Sequence, residues 1–179
     1  IGRVLSVQDI AAYTARDQAR PKRDPRVGML PPKLAQIIIN LAHPEQCVLD
    51  PFCGTGVVLQ EALLMGLTAY GTDVETRMVE YSIENVDKWL REQFESVNAE
   101  VAVEQGDATN HEWRALPFDA IASETYLGRA YSADPGFDEL ETNMKTVDII
   151  HTKFLKNIAK QTQPGFRVCI AVPAWFIKG

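Results

Sequence analysis

The chain has no run of roughly 18 apolar residues, the length that a membrane-spanning helix requires, and no signal-peptide pattern. Cysteine is scarce: Cys47, Cys53 and Cys169 are scattered and show no C-x-x-C spacing. That argues against a disulfide scaffold or a zinc site and for a reducing compartment, the cytoplasm. Histidine is equally sparse, and His43, His111 and His151 have no metal-ligand spacing, so no metal is expected. A basic excess is missing too, with 18 Lys and Arg against 24 Asp and Glu. A dedicated nucleic-acid-binding domain usually carries a basic surface, because phosphate neutralisation dominates its affinity. A catalytic domain can leave that task to another domain. There is no internal repeat and no low-complexity segment. The chain opens on Ile1 rather than Met and stops just after an expected strand, which suggests a fragment of a longer product. What is present is 179 residues with 46% apolar content, enough for one α/β domain with a real core.

The stretch Cys47–Gly66 organises the rest. Cys47-Val48-Leu49 is apolar and ends at Asp50, as a buried parallel strand would at its carboxyl edge. Gly54 and Gly56 allow a tight turn and close approach of a ligand to the backbone. Val57 to Met65 then follow helical spacing, with Gly66 as a C-cap. A strand, a glycine turn and a helix N-terminus together form a nucleotide-type pocket. The glycines do not follow G-x-G-x-x-G, and no Gly-Lys-Ser/Thr follows them, so neither a dinucleotide fingerprint nor a Walker loop fits.

The run Asp50-Pro51-Phe52-Cys53-Gly54-Thr55-Gly56 resembles the first motif of class I S-adenosylmethionine (SAM)-dependent methyltransferases. More narrowly, it is similar to the THUMP-associated RNA methyltransferases and to amino-methylating DNA enzymes. The segment Arg16–Ala35, with Arg20-Pro21, Arg23-Asp24-Pro25 and Gly28-Met29-Leu30-Pro31-Pro32, looks like what precedes the catalytic fold in that family. The resemblance implies that Met29 and Leu30 lie over the methionine end of SAM. On the residues alone, the cations between Arg16 and Arg26 form either a solvated linker, in which prolines discourage a helix, or a loop that touches phosphate.

Further along, Pro32 or Lys33 starts a helix, with Leu34, Ile37, Ile38 and Leu41 on one face and Ile37 and Leu41 docking on the sheet. Leu67–Thr72 reads as a second strand ending at Asp73, with Val74 beginning a long helical run to Phe94. An acid there, about 20 residues beyond the glycine turn, can accept from ribose hydroxyls, although Asp73 could equally cap the next helix. Val101-Ala102-Val103 is a third strand, followed by Gly106-Asp107-Ala108, where the resemblance places an acid at the adenine amine. Pro117–Ser123 is the fourth strand. In amino-methyltransferases it runs into D-P-P-Y, which holds the target amine. Here it runs into Glu124-Thr125-Tyr126-Leu127, so either Glu124 or, one residue back, Ser123 takes the acid's place, and Tyr126 is the nearby aromatic. Tyr131 is available for stacking. Asp138–Lys160 is a helix and Phe166–Val172 a fifth strand.

The element order implies a Rossmann-like class I methyltransferase fold: a mostly parallel, doubly wound α/β sheet. The last two strands usual in that fold are not evident before Gly179. Residues 1–30 read as a lead-in with a basic loop, and 31–179 as the catalytic domain. The resemblance implies SAM held by Asp50, Phe52, Cys53, Gly54, Thr55, Gly56, Asp73, Val74, Gly106, Asp107, Ala108, Met29 and Leu30. Glu124, Tyr126 and Ser123 would then present an exocyclic base amine, with guanosine N2 in tRNA favoured. A DNA amino-methyltransferase and a SAM-binding module without catalysis are the alternatives. Nucleic acid is the expected partner, held in part by a separate domain, with no membrane involved.

Overall fold

The computed structural model describes residues 2–24, 30–94 and 97–175. Five strands form one sheet in the order β3-β2-β1-β4-β5. They are β1 (Cys47–Asp50), β2 (Thr68–Asp73), β3 (Val101–Gln105), β4 (Ala120–Glu124) and β5 (Arg167–Ala171). Every pairing is parallel. Alternate residues along each strand feed opposite faces. Val48, Ala69, Ala120 and Ala122 join a core with α2 (Pro32–Ala42) and α3 (Val57–Leu64). Leu49, Tyr70 and Ile121 join a second core with Phe154 and Ile158 of α6 (Phe137–Gln161). Both faces are therefore covered, as the run of apolar residues in β1 requires.

The chain moves from β1 outward to β3 on one side, then returns to place β4 and β5 on the other. The reversal falls between β1 and β4, and a crevice opens there at the carboxyl edge.

Several local expectations change. The N-terminal cations do not form a loop throughout: α1 (Ile10–Gln18) includes Arg16 and Asp17, and Asp9 caps it by accepting from Ala12 N–H at 2.9 Å. Arg16, Arg20 and Asp24 are buried, so this part of the segment is not a solvated linker. In α2 the inward face is Ala35, Ile38, Ile39 and Ala42. Leu34, Ile37 and Leu41 remain 47%, 45% and 71% exposed. Lys33, Gln36 and Asn40 mark one polar side, but apolar residues fill the rest of the helix and leave two apolar flanks, of which the one with small alanines packs inward. The run after β2 is α4 (Thr76–Ile83), a π-helical segment (Glu84–Trp89) and α5 (Leu90–Gln93). The fourth strand starts at Ala120 rather than Pro117. Phe118 packs edge-on against Trp113 and Phe166, and the Asp119 carboxylate accepts from the N–H groups of Glu45, Gln46 and Cys47.

Candidate functional site

A cleft of about 1130 Å³ lies at the carboxyl ends of β1, β2, β3 and β4. The turn after β1 forms its floor. Gly54 and Gly56 both have positive φ, +51° and +84°, which L side chains rarely adopt. The turn is pinned from three directions. Cys53 N–H donates to Thr72 O at 2.9 Å, Gly54 N–H to Asp73 Oδ2 at 2.9 Å, and the Ser82 hydroxyl to Gly54 O at 2.8 Å. Gly56 does not line the cleft. Its missing side chain faces Ser82 and Val86, and a Cβ would come 3.0 Å from Ser82 Oγ. Its glycine requirement comes from packing as well as from φ.

Of the residues singled out in the sequence, Leu30, Asp50, Phe52, Cys53, Gly54, Thr55, Asp73, Val74, Gly106, Asp107, Ala108, Glu124 and Tyr126 line this one cleft. Met29 lies outside the described residues. Ser123 sits beneath the floor: it is fully buried and its hydroxyl donates to Asp50 Oδ1 at 2.6 Å. Glu124, the last residue of β4, lines the cleft.

Five carboxylates line this concavity: Glu75, which lies 3.7 Å from Arg77, and the four others Asp50, Asp73, Asp107 and Glu124. Among the described residues none of those four has a Lys or Arg partner. Burial pushes Asp50 up to about 7 against the hydrogen bonds from Ser123 and Phe52 N–H, with Asp73 and Glu124 adding repulsion. Burial also raises Asp73 and Glu124. Both oxygens of Asp73 accept from backbone: Oδ1 from Glu75 N–H at 2.9 Å and Oδ2 from Gly54 N–H at 2.9 Å, which ties the end of β2 to the glycine turn; the N-cap of α4 is Glu75, not Asp73. Asp107 makes a local turn by accepting from Thr109 N–H at 2.8 Å.

The loop after β4 lacks Pro-Pro, and other contacts fix it. Thr125 donates from both its N–H and its hydroxyl to Ala171 O, at 3.1 and 2.8 Å. Gly128, at φ +92°, packs on Asn143, whose Oδ1 accepts from Arg129 N–H at 2.9 Å. Sequence reasoning missed the far wall, where Ile149, Ile150 and Lys153 of α6 line the cleft. No local motif marks them, because the helix reaches the cleft only through tertiary packing.

Behind the turn, the N-terminal segment is bolted to the same scaffold. Arg16 Nε lies 3.0 Å from Glu61 Oε1 on α3, and Gln36 Nε2 donates to Glu61 Oε2 at 2.6 Å. Asn85, in the π segment, donates to Lys22 O and Thr55 O, both at 2.9 Å, and accepts from Lys22 N–H at 3.0 Å.

A parallel sheet with its reversal at β1 and β4, a positive-φ glycine turn and acids at successive strand ends define the class I methyltransferase architecture. A glycopeptide N-methyltransferase, MtfA, solved with sinefungin, shares the fold at a TM-score of 0.54 and 11% identity, over 89% of this chain and 57% of that one. The family model described as DNA methylase matches residues 16–84. A tRNA (guanine(10)-N2)-dimethyltransferase of Methanothermobacter thermautotrophicus is 31% identical over 88% of this chain and 43% of its own length. A probable tRNA (guanine(10)-N2)-dimethyltransferase of Methanothermococcus thermolithotrophicus is also 31% identical, over 64% of this chain and 72% of its own length. The chain belongs to the methyltransferase family that includes these archaeal proteins. It spans less than half the length of the Methanothermobacter relative.

Proposed function

We propose that this chain binds SAM in the cleft and catalyses methyl transfer to an exocyclic amine of nucleic acid, guanosine N2 in tRNA. The observation that carries the reading is the convergence of four carboxylates without cationic partners around the glycine turn. Such a pocket favours a cationic ligand, and SAM carries a sulfonium and an ammonium. The cleft volume is ample for a nucleoside-sized molecule.

In this reading Asp73 accepts from the ribose hydroxyls, Asp107 and Ala108 meet the adenine, and Asp50 with Phe52–Thr55 faces the methionine portion. When bound, SAM supplies a methyl group made electrophilic by the positive sulfur. The chain's own contribution is placement. Glu124 accepts from the amine N–H so that the nitrogen lone pair is held in line, and Tyr126 offers a ring to the base. Ser123 acts through Asp50, by fixing the orientation of its carboxylate. A relative named for tRNA matches across 88% of the chain, past the loop that carries Glu124, and this favours RNA. The DNA methylase match stops at residue 84, before that loop, and leaves DNA as the second reading. A further domain outside this chain would share the task of holding the polymer, in the cytoplasm. Residues 31–179 would be the catalytic domain and the preceding segment its lead-in.

The test is calorimetric titration with SAM, followed by methyl incorporation into unmodified tRNA and into duplex DNA. Binding of SAM, weakened at least tenfold in Asp73→Ala, and labelling of tRNA are the expected results. No binding of SAM overturns the reading. Labelling of DNA alone replaces tRNA by DNA. Binding without transfer to either polymer, in a reaction supplied with the full-length protein, reduces the chain to a SAM-binding module.

A further inference from the structure

We infer that the exposed face of α6 bordering the cleft is a docking surface for the RNA phosphate backbone, formed by Lys145, Lys153, Lys156 and Lys160. This rests on the proposed RNA substrate and locates where the polymer lies.

Of the cations that the sequence first offered for phosphate, Arg16 and Arg20 are buried behind the glycine turn and are not available for it, while Lys22 is half-buried and Arg23 exposed. The lysines of α6 are all exposed. At 3.6 residues per turn, residues 145, 153, 156 and 160 fall within an arc of roughly 80° and extend roughly 22 Å along the axis. The other exposed half of the helix carries Asp148, Thr152, Leu155 and Ala159, and no cation. The segregation therefore has a direction, and the direction is toward the cleft. Lys153 itself lines the cleft, as does Ile150 on the same flank. Asn157, also on that flank, donates to Ala108 O at 3.1 Å and to His111 O at 2.9 Å, just beyond the Gly106–Asp107 turn.

Compensation of the helix dipole accounts for a cation in the last turn only, which covers Lys160 but not Lys145 or Lys153. Pairing does not account for the others. Lys145 lies 3.1 Å from Glu141, but Lys153, Lys156 and Lys160 have no carboxylate partner among the described residues. In a chain of net charge −6, three unpaired lysines on one flank form a local site for polyanion. The acidic pocket and the basic rim are then complementary to two different ligands, a cationic cofactor and an anionic polymer whose base enters between them.

The experiment measures binding of an unmodified tRNA transcript to the protein across 50–250 mM salt, for the wild type and for the double variant Lys156→Gln/Lys160→Gln. Both positions are exposed and outside the cleft lining, so folding and SAM affinity should be unchanged. Each phosphate contact contributes about 0.7 to 0.9 to the slope of log affinity against log salt. The double variant should therefore have a slope shallower by about 1.4 to 1.8, with affinity reduced several-fold at the low-salt end. An unchanged slope overturns the docking surface and leaves the proposed function standing, whereas no tRNA binding by wild-type protein that binds SAM overturns the docking surface and tRNA as the substrate together. Failure to bind SAM at all is the separate failure of the proposed function. Equal loss of affinity for a DNA duplex of similar length, with no preference for tRNA, overturns RNA as the partner.

Discussion

The side-chain amide of Asn85 pairs with both backbone polar groups of Lys22 and, through the same nitrogen, with the carbonyl of Thr55. One buried amide thus joins the N-terminal segment to the cofactor turn. Asn85→Ala leaves those groups without partners, at a cost of about 1–3 kcal/mol. The segment 19–24 should also detach before the domain unfolds. Limited trypsinolysis after Lys22 or Arg23 is expected to accelerate at least tenfold under native conditions. Cleavage no faster than in the wild type would show that other contacts suffice.

Asp50 should make stability depend on pH in a direction opposite to most surface acids. Its carboxyl rises to about 7 in the folded protein, from about 3.9 when unfolded. Between those values the folded state holds a proton that the unfolded state has lost. The group's contribution is therefore fully present below about pH 4 and is lost as pH rises through 7. Asp50→Asn stays neutral throughout and keeps a carbonyl acceptor. The stability of Asp50→Asn relative to wild type should grow by at most about 1.4 kcal/mol per pH unit up to pH 7, then level off. Urea denaturation at pH 5, 6, 7 and 8 measures this, and a constant difference would refute it. For a cationic ligand the same group predicts tighter binding as pH rises from 6 to 8.

Gly56→Ala tests the geometry beneath the turn. The substitution places an L residue at φ +84° and puts its Cβ 3.0 Å from Ser82 Oγ and 3.1 Å from Val86 Cγ1. Left-handed strain of roughly 1–2 kcal/mol adds to the cost of moving two side chains. Thermal unfolding should shift down by several degrees and SAM affinity should fall, although residue 56 does not line the cleft.

Glu124→Gln separates binding from chemistry. The variant keeps an oxygen acceptor but also adds N–H donors and removes the charge facing the amine. The maximal rate of methyl incorporation should drop by about 10² to 10⁴-fold, with SAM affinity within a few-fold of wild type. A maximal rate within a few-fold of wild type would remove Glu124 from the transfer step.

The parts of this protein that could be read from its sequence are those set by neighbours in the chain. The β1 turn, the acids at the ends of β2 and β4, and the parallel order all follow from local spacing. The strap of α1 and residues 19–24 did not, because its anchors Glu61, Thr55 and Asn85 lie 35 to 63 residues away from Arg20, Lys22 and Arg16. Without those partners, a run of cations and prolines looks solvated. The inward face of α2 was hidden for another reason: the apolar arc opposite Lys33, Gln36 and Asn40 is wider than the face that packs, so Leu34, Ile37 and Leu41 looked as suited to the core as the alanine flank. The start of β4 was misread because Phe118 and Asp119 look like strand residues but serve as an aromatic packing point and a clamp on β1.

The π-helical segment Glu84–Trp89 has a bearing on how this family can vary in length. Ser82, Asn85 and Val86 contact Gly54, Thr55 and the space over Gly56 in turn. A wide turn of this kind holds one more residue per hydrogen-bonded ring than an α-turn. Removing one residue there would close the wide turn to an α-turn and keep the helix beyond it in phase, but it would take one of Ser82, Asn85 and Val86 out of its place against the glycine turn. Insertions and deletions, usually tolerated on outer helices, should therefore be selected against here, while the solvent-facing Glu84, Asp87 and Lys88 are free to change identity.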